Sequence, residues 1–164
     1  NSKSKTTSLY KKIKNKTLDS FVRNEREKNN NEAYETSISG VRKIFKSLLS
    51  KNVICLAADQ VPQAGMGEYV KFFNRDAYTT TLASSLAYKT GKPVIYCSMN
   101  SDNNKNLFVS IKPCHESIYN DSKRLHSMNN SIENLININP KDYSWEYKRF
   151  KKAQPKNINP YLKA

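Results

Sequence analysis

The sequence has no long apolar run, so neither a membrane-spanning helix nor a signal peptide is visible in it. No segment of the 164 residues approaches the roughly 20 apolar residues that a membrane-spanning helix needs. The first residues contain no apolar segment either, so no signal peptide is visible. Apolar residues do cluster into short periodic segments, which argues against a disordered chain. We therefore expect one folded domain with a real core.

Cysteine is scarce as well, and the spacing of the cysteines does not match a metal site. The cysteines Cys55, Cys97 and Cys114 include no C-x-x-C pair. An odd number without that spacing argues against a disulfide framework and against a zinc site. The residues lie in or beside apolar runs, which predicts buried thiols in a reducing compartment. No metal and no cofactor is expected.

Acidic residues are outnumbered: 28 Lys and Arg stand against 14 Asp and Glu, a formal net charge of +14. This charge favours anionic partners such as nucleic acid, acidic lipid head groups, phosphorylated substrates or an acidic carrier protein. It is equally compatible with a basic solvated surface that has no dedicated partner. The sequence has no helix-turn-helix, zinc or RNP pattern, so nucleic acid is not an expected partner.

Apolar periodicity predicts several helices. The clearest is "SGVRKIFKSLLSK", where the apolar residues recur at helical spacing (Val41, Ile44, Phe45, Leu48, Leu49). Another helix is predicted from Thr17, as N-cap, to about Lys28, and a third from Thr79 to Thr90 with a stop at Gly91. Two more are expected after Asp121 and after Pro140. The apolar face of the helix after Asp121 would consist of Leu125, Met128, Ile132, Leu135 and Ile136. That of the helix after Pro140 would consist of Tyr143, Tyr147 and Phe150.

Between these helices lie short apolar stretches that read as strands. A β-prone segment is predicted at Thr6–Tyr10. "NVICLAAD" and "KPVIYCSM" have continuous apolar residues and are predicted to be buried on both faces. "EYVKFFNRD" reads as a short strand or extended loop, and "NLFVSIKPC" as a half-exposed strand near an edge.

The alternation of helices and strands predicts an α/β fold with a mostly parallel or mixed central sheet, covered by helices on both faces. In such sheets ligands gather at the carboxyl ends of the strands. Asp59-Gln60 ends the first of the predicted buried strands. The sequence therefore indicates a functional carboxylate at this position.

Several blocks, in order, resemble one family. Gly40-Val41-Arg42 opens a helix, Asp59-Gln60 ends a strand, and "VKFFNR" ends at Arg75. Two further blocks follow Arg75 in the sequence, "GKPV" and "YSWEYKRFKKAQP". One more block precedes Gly40, "SLYKKIKNKTLDSFVRNER". Together the blocks resemble the lipid A biosynthesis acyltransferases, the lauroyl/myristoyl transferases of Gram-negative envelopes, from about Thr6 to Pro155.

The resemblance implies a glycerolipid acyltransferase-like fold and a reaction. A fatty acyl group would move from acyl carrier protein to a hydroxyl of a glucosamine-based lipid A precursor. The partners implied are acyl carrier protein, the lipid A precursor and an anionic membrane surface. The implied location is peripheral, on the cytoplasmic face of the bacterial inner membrane. In the family a His of an H-x4-D/E motif, upstream of all these blocks, acts as general base.

That motif is absent from the 164 residues. The two histidines, His115 and His126, are followed five positions later by Asn120 and Ser131. Together with the non-Met start, this predicts the carboxyl-terminal part of a longer enzyme, with no catalytic residue in this chain, no activity alone and a sheet incomplete at its N-terminus. The predicted domain covers residues 1–152, with an irregular tail at 153–164. The alternative is a non-catalytic basic module that binds membrane or nucleic acid.

The resemblance also assigns candidate site residues. Asp59 matches an acidic residue that helps shape the acceptor site, and Gln60 is its usual neighbour. Arg75 matches the arginine of the family's F-F-G-R, where Asn74 replaces the glycine and tolerates a positive φ. Lys11 falls where the family has arginine, and Arg42 lies in the helix-opening block. The remaining candidates would contact lipid phosphates or the carrier, or simply line a solvated helix face: Lys148, Arg149 and Lys151.

Overall fold

The computed structural model describes residues 4–152, 154 and 159–161. The chain divides into two compact units, Asn1–Ala57 and Ala58–Ala164. The first unit contains β1 (Thr6–Tyr10), α1 (Lys16–Glu27), β2 (Glu32–Glu35), α2 (Ile38–Leu49) and β3 (Val53–Cys55). The second contains β4 (Gly67–Phe72), β5 (Arg75–Thr80), α3 (Leu82–Thr90), β6 (Ile95–Ser101), β7 (Leu107–Pro113) and α4 (Arg124–Ile136).

The first unit is built on a parallel sheet in the order β2-β1-β3. Parallel neighbours need a crossover connection, which α1 and α2 supply. The apolar stripe predicted for α2 is confirmed at its centre, because Ile44 is fully buried. A buried hydrogen bond of 2.6 Å between the hydroxyls of Thr7 and Ser47 ties β1 to α2.

Both helices of this unit begin at side-chain caps. Ser37 caps α2 by accepting from the amide of Gly40 at 3.1 Å. A Cβ at Gly40 would stand 2.1 Å from the carbonyl oxygen of Glu35, so only glycine fits there. In α1 the cap is Asn15, which accepts from the amide of Leu18 at 3.1 Å, and the predicted cap Thr17 was wrong. Asn and Thr are both good caps by type, so the sequence alone could not choose between them.

The second unit consists of two hairpins and the helices that pack on them. β4 pairs antiparallel with β5, and β6 pairs antiparallel with β7. α4 contacts both β4 and β6. Its predicted apolar face is confirmed, since all five residues named for it are buried. The core that results joins residues of α4 to the first hairpin: Val70, Phe72, Ala77, Leu125, Met128, Ile132 and Ile136.

The β4–β5 hairpin closes through a two-residue turn at Phe73-Asn74. Both residues have positive φ, 47° and 59°, as a type I′ turn requires. The expected tolerance of Asn74 for this conformation is confirmed. Phe73 is an unusual residue for positive φ, and its amide is fixed by a 3.0 Å hydrogen bond to the carboxylate of Glu133 on α4.

The α/β class is confirmed, but the single central sheet is not. The described residues form three small sheets, one of three strands and two of two strands. The strands expected to be buried on both faces are not: Val53 is 50% exposed, and Ile95 is 62% exposed. The thiols of Cys55 and Cys97 are exposed for the same reason, and Cys114 is half-buried. Continuous apolar residues suggested burial on both sides, whereas in the β6–β7 hairpin one face is left uncovered.

In the carboxyl-terminal half of the chain, the observed helix limits also differ from the predicted ones. Thr79 belongs to β5, so α3 begins at Leu82, and it ends as predicted at Gly91, which has φ of 60°. The helix predicted after Pro140 was wrong. Only a short 3₁₀ turn, Pro140–Asp142, forms there, and residues 143–151 follow as a series of tight turns. Backbone hydrogen bonds between residues two or three positions apart close these turns, in place of the four-residue spacing of an α-helix.

No described helix is both long enough and apolar enough to cross a bilayer. The predicted domain limits, 1–152 with a tail at 153–164, stay a prediction. Most of that tail lies outside the described residues.

Candidate functional site

The candidate site lies in the second unit, where a loop meets the carboxyl-terminal part of the chain. We call residues 58–66 the 58–66 loop and residues 139–152 the 139–152 segment. Asp59 is half-buried in a turn of this loop, four residues beyond Cys55, the last residue of β3, and Gln60 is exposed. The prediction that Asp59 ends a strand was therefore wrong. The carboxylate is presented by a loop instead.

Two hydrogen bonds tie the loop to the 139–152 segment. The amide of Val61 donates to the hydroxyl of Tyr147 at 2.7 Å. The ammonium of Lys152 donates to the carbonyl of Pro62 at 2.6 Å. The partners are 86 and 90 residues apart in sequence, so only the tertiary fold brings them together.

The other end of the loop is held by Tyr78 of β5. Its hydroxyl accepts from the amides of Gly65 and Gly67 at 3.0 and 3.1 Å. Gly65 has φ of 80°, and a Cβ at Gly67 would stand 2.6 Å from the carbonyl oxygen of Thr79. Glycine at these positions lets the loop approach the hairpin closely.

Arg149 is the buried cation of the site, only 3% exposed. Its guanidinium donates to the carbonyl of Tyr78 and to the hydroxyl of Thr79, both at 2.8 Å. It also lies over the ring of Phe72, 5.1 Å from the centroid. A buried charge is tolerated only when it is hydrogen-bonded or paired, and these contacts meet part of that need.

Thr79 and Asn129 extend the polar cluster into the core. The amide nitrogen of Asn129 donates to the carbonyl of Lys71 at 2.8 Å and to the Thr79 hydroxyl at 3.2 Å. That hydroxyl donates in turn to the carbonyl of Ala77 at 3.0 Å. Sequence reasoning missed both residues. A signal existed for Asn129, which stands four positions after Leu125 and so lies on the apolar face of α4.

Asp59 acts electrostatically on two members of the site. Burial, and next the charge of Asp59, raise the pKa of Tyr143 to about 12. Burial lowers the pKa of Arg149, while Tyr143 and Asp59 oppose that shift. In the described part of the chain, the Tyr143 hydroxyl, Nε of Arg149 and Oδ1 of Asn129 are buried without a hydrogen-bond partner. Such unsatisfied groups are few in folded proteins, and three of the six found among the described residues lie in this cluster.

The other basic candidates of this unit lie at the surface, each beside an aromatic ring. Arg75 lies 5.7 Å from the ring of Phe150, and Lys151 lies 4.8 Å from the ring of Tyr147. Lys148 is likewise exposed. Of these three, Lys151 lines an open cleft of about 480 Å³. The other residues that line it are Ala64, Gly65, Tyr69, Tyr78, Lys152 and Asn159.

Lys11 and Arg42 belong to the first unit, where both are exposed. His115 and His126 are exposed too, and His115 caps a short 3₁₀ turn by accepting from the amide of Ser117. Among the described residues, no group of three His, Cys, Asp or Glu side chains is placed to hold a metal ion. What the site offers is therefore a carboxylate, a buried guanidinium and hydroxyls, which bind and orient polar groups.

Residues 1–152 match the model of a family described as bacterial lipid A biosynthesis acyltransferase. The chain belongs to this family. The match covers nearly the whole chain, including the 58–66 loop and the complete 139–152 segment. It confirms the resemblance inferred from the motif order, and an acyltransferase role follows from it at the level of the family. Comparison with curated proteins found no match.

Proposed function

We propose that this chain is the acceptor-side part of an O-acyltransferase of lipid A biosynthesis. The enzyme moves a fatty acyl chain from acyl carrier protein to a hydroxyl of a lipid A precursor. The observation that carries the proposal is the family match over residues 1–152. The polar cluster around Asp59, Tyr143 and Arg149 supports it, because it lies within the matched region and has unsatisfied polar atoms.

The reaction replaces a thioester by an ester. The acceptor hydroxyl oxygen attacks the thioester carbonyl, its O–C bond forms, the C–S bond breaks, and the thiol of the carrier leaves. A neutral hydroxyl is a poor nucleophile, so a general base must take its proton and later deliver it to the thiolate. His115 and His126 lack the H-x4-D/E context. The base is therefore proposed to come from such a motif outside these 164 residues.

Asp59 is proposed to line the acceptor site. A half-buried carboxylate accepts hydrogen bonds from sugar hydroxyls or amides, and such bonds orient an acceptor for attack. Gln60 is exposed beside it and can add an amide contact. Arg75, Lys11 and Arg42 stay proposed binding residues, since all three are exposed basic side chains.

The net charge of +14 suits the proposed partners. Acyl carrier proteins are acidic, lipid A precursors carry phosphates, and the cytoplasmic leaflet contains anionic lipids. Each Lys or Arg near such a surface contributes about 1 kcal/mol, so a few exposed residues suffice for peripheral attachment. Lys148 and Lys151 are exposed and are proposed for this contact.

The test is acyl transfer from acyl carrier protein to a tetraacylated lipid A precursor. Three proteins are compared: these 164 residues, the chain with its native upstream segment, and the longer chain with Asp59→Ala. We expect activity only in the longer chain, and its loss with Asp59→Ala. Activity of the longer chain that is unchanged by Asp59→Ala would remove Asp59 from the acceptor site.

A non-catalytic module is the second candidate, favoured by the absence of H-x4-D/E from this sequence. It predicts binding to anionic vesicles without acyl transfer in any of the three proteins. An intact H-x4-D/E motif in the upstream reading frame would rule it out. Duplex DNA serves as a further probe, and no binding at modest ionic strength would reject a nucleic-acid module.

A further inference from the structure

We propose that the cleft beside the 58–66 loop binds the phosphorylated glucosamine headgroup of the acceptor, with Lys152 contacting the phosphate and Tyr69 contacting the sugar. The inference rests on the proposed function and deepens it, because it gives the acceptor headgroup a place in this chain. The volume of the cleft, about 480 Å³, is within the range of small-molecule sites. All of its lining residues belong to the second unit.

The cleft has two cations and no anion of its own. Lys151 and Lys152 line it, and none of its lining residues in the described part of the chain is acidic. The ion pairs found among the described residues involve neither lysine. Positive charge without a counter-charge in a concave surface attracts an anionic ligand, and lysine binds phosphate as a point charge.

Lys152 is fixed in the cleft and keeps donors for a ligand. Its ammonium donates to the carbonyl of Pro62 at 2.6 Å and lies 4.7 Å from the centroid of the Tyr78 ring. An ammonium has three N–H donors, and among the described residues only Pro62 accepts from this one. Arg149, which the resemblance groups with the phosphate contacts, is only 3% exposed and is inaccessible to a phosphate in the cleft. The half-buried Lys152 takes that role, with the exposed Lys151 beside it.

Two tyrosines form the aromatic wall of the cleft. Tyr69 and Tyr78 pair directly across β4 and β5, with ring centroids 5.1 Å apart and ring planes inclined by 54°. Tyr78 is buried and is fixed by the amides of Gly65 and Gly67, which donate to its hydroxyl. Tyr69 is 37% exposed, so part of its ring is open to a ligand. The C–H groups of a sugar pack on an aromatic face, so this wall beside a lysine suits a sugar phosphate better than inorganic phosphate.

The 58–66 loop connects the cleft to Asp59. Gly65 lines the cleft, six residues after Asp59. Hydrogen bonds at Val61 and Pro62 hold the loop between these two positions. A headgroup in the cleft therefore contacts the same short, fixed loop that carries the carboxylate assigned to the acceptor site. This shared loop favours the acceptor over the acyl carrier protein as the source of the anionic group.

A binding experiment tests the cleft without using activity. N-acetylglucosamine 1-phosphate, N-acetylglucosamine and inorganic phosphate are titrated into the chain with its native upstream segment, and ligand-observed NMR gives each dissociation constant. Lys152→Gln should weaken binding of the sugar phosphate about tenfold, because a charged hydrogen bond is lost, and leave N-acetylglucosamine unaffected. Lys152→Arg should restore most of the affinity. Lys112→Gln, which changes an exposed lysine of β7, should have no effect.

Variants of Tyr69 test the sugar contact. Tyr69→Leu keeps apolar bulk but removes the flat ring, and should weaken binding of the sugar phosphate by roughly twofold to tenfold. Tyr69→Phe should bind as the wild type does, and circular dichroism checks the fold of each variant. If Lys152→Gln does not fold, Lys151→Gln decides instead, with an expected loss of roughly threefold. Equal affinity for the three probes would overturn the proposal, and so would equal losses of sugar and sugar phosphate with Lys152→Gln.

Acyl transfer by the same protein distinguishes the two sources of the anionic group. Lys152→Gln should raise KM for the lipid acceptor about tenfold and leave KM for the acyl carrier protein unchanged. A raised KM for the carrier alone would assign the cleft to the carrier and overturn the proposal. Inactivity of the wild type would count against the proposed function, and the binding experiment would then decide the role of the cleft by itself.

Discussion

The two hairpins of the second unit are built alike, yet they differ in what covers them. In β4–β5, Val70, Phe72 and Ala77 belong to the core. In β6–β7, the paired residues Met99 and Val109 lie on one exposed face, and Met99 is 64% exposed. That face is apolar except at Ser101, which pairs with Leu107; its other residues are Ile95, Cys97, Met99, Val109, Ile111 and Pro113.

The difference shows which structural features an alternating apolar pattern predicts and which it does not. Alternation determines which side chains share a face of a strand. It does not determine whether another element covers that face. α4 packs on β4 and on β6, and the 139–152 segment adds Tyr143 and Phe150 to the core of the first hairpin. Coverage is decided by elements that are distant in sequence.

The largest expected effect comes from placing a charge in each hairpin. Val70→Lys puts an ammonium into the core, which costs several kcal/mol, about as much as a small domain's whole stability. Its matched partner Val109→Lys should change stability by less than about 0.5 kcal/mol and raise the soluble fraction. Expression yield, circular dichroism and urea unfolding measure both. If Val109→Lys unfolds the protein, the face is covered and the comparison fails.

Removing a large side chain gives the next effect. Phe72 is 1% exposed and Phe108 is 41% exposed, so the same substitution can be compared at a buried and at an exposed position. Phe72→Ala should lower the free energy of unfolding by about 3–5 kcal/mol. Phe108→Ala should lower it by less than about 1 kcal/mol. Equal losses in urea denaturation would mean that the hairpins do not differ in packing.

The turns of the hairpins differ too. Glu133 of α4 accepts from the Phe73 amide at 3.0 Å, a contact 60 residues apart in sequence. Asp102 accepts locally from the amides of Asn104 and Asn106, each at 2.8 Å. Glu133→Ala should cost about 1–3 kcal/mol because a half-buried amide loses a charged acceptor. Glu133→Gln keeps an acceptor and should recover much of the loss, whereas Asp102→Ala should cost less than about 1 kcal/mol.

Protonation of Asp102 in the β6–β7 turn gives the smallest effect. Hydrogen bonds from the side chain and backbone of Asn106 lower the pKa of Asp102. The stability they contribute is present above the ordinary pKa of an aspartate and is lost as pH falls through the lowered value. Side-chain NMR titration should give a midpoint below that of a model peptide, with the Asn106 amide shifting in parallel. A midpoint at or above the model value would contradict the assigned hydrogen bonds.

Part of this architecture could be predicted from the sequence because it depends on local chemistry. The face of α4, the stripe of α2 and the αL stop at Gly91 follow from helical spacing and from the conformational freedom of glycine. The positive φ of Asn74 follows from the tolerance of asparagine for that region. These features need no knowledge of distant residues. The order of motifs was likewise sufficient to identify the family.

The candidate site was predictable only in part. Asp59 can be singled out from the sequence, but the sequence places it at the end of a strand, whereas it stands in a loop. Its function stays a prediction. The sequence did not identify Thr79 and Asn129 as members of the site. Thr79 was predicted to lie in a helix, and Asn129 is a polar residue of a common type. Arg149 was read as one of several surface cations, since a basic run is usually solvated.

The sequence by itself determined helix faces, turn conformations and family membership, because these depend on residues within one or two turns of each other or on motif order. Only the tertiary structure decided burial. It buried Arg149 and left Ile95 and Met99 exposed. The physical reason is that burial depends on which surface packs against a residue, and the partners of Arg149 lie about 70 residues away along the chain. No local pattern contains that information.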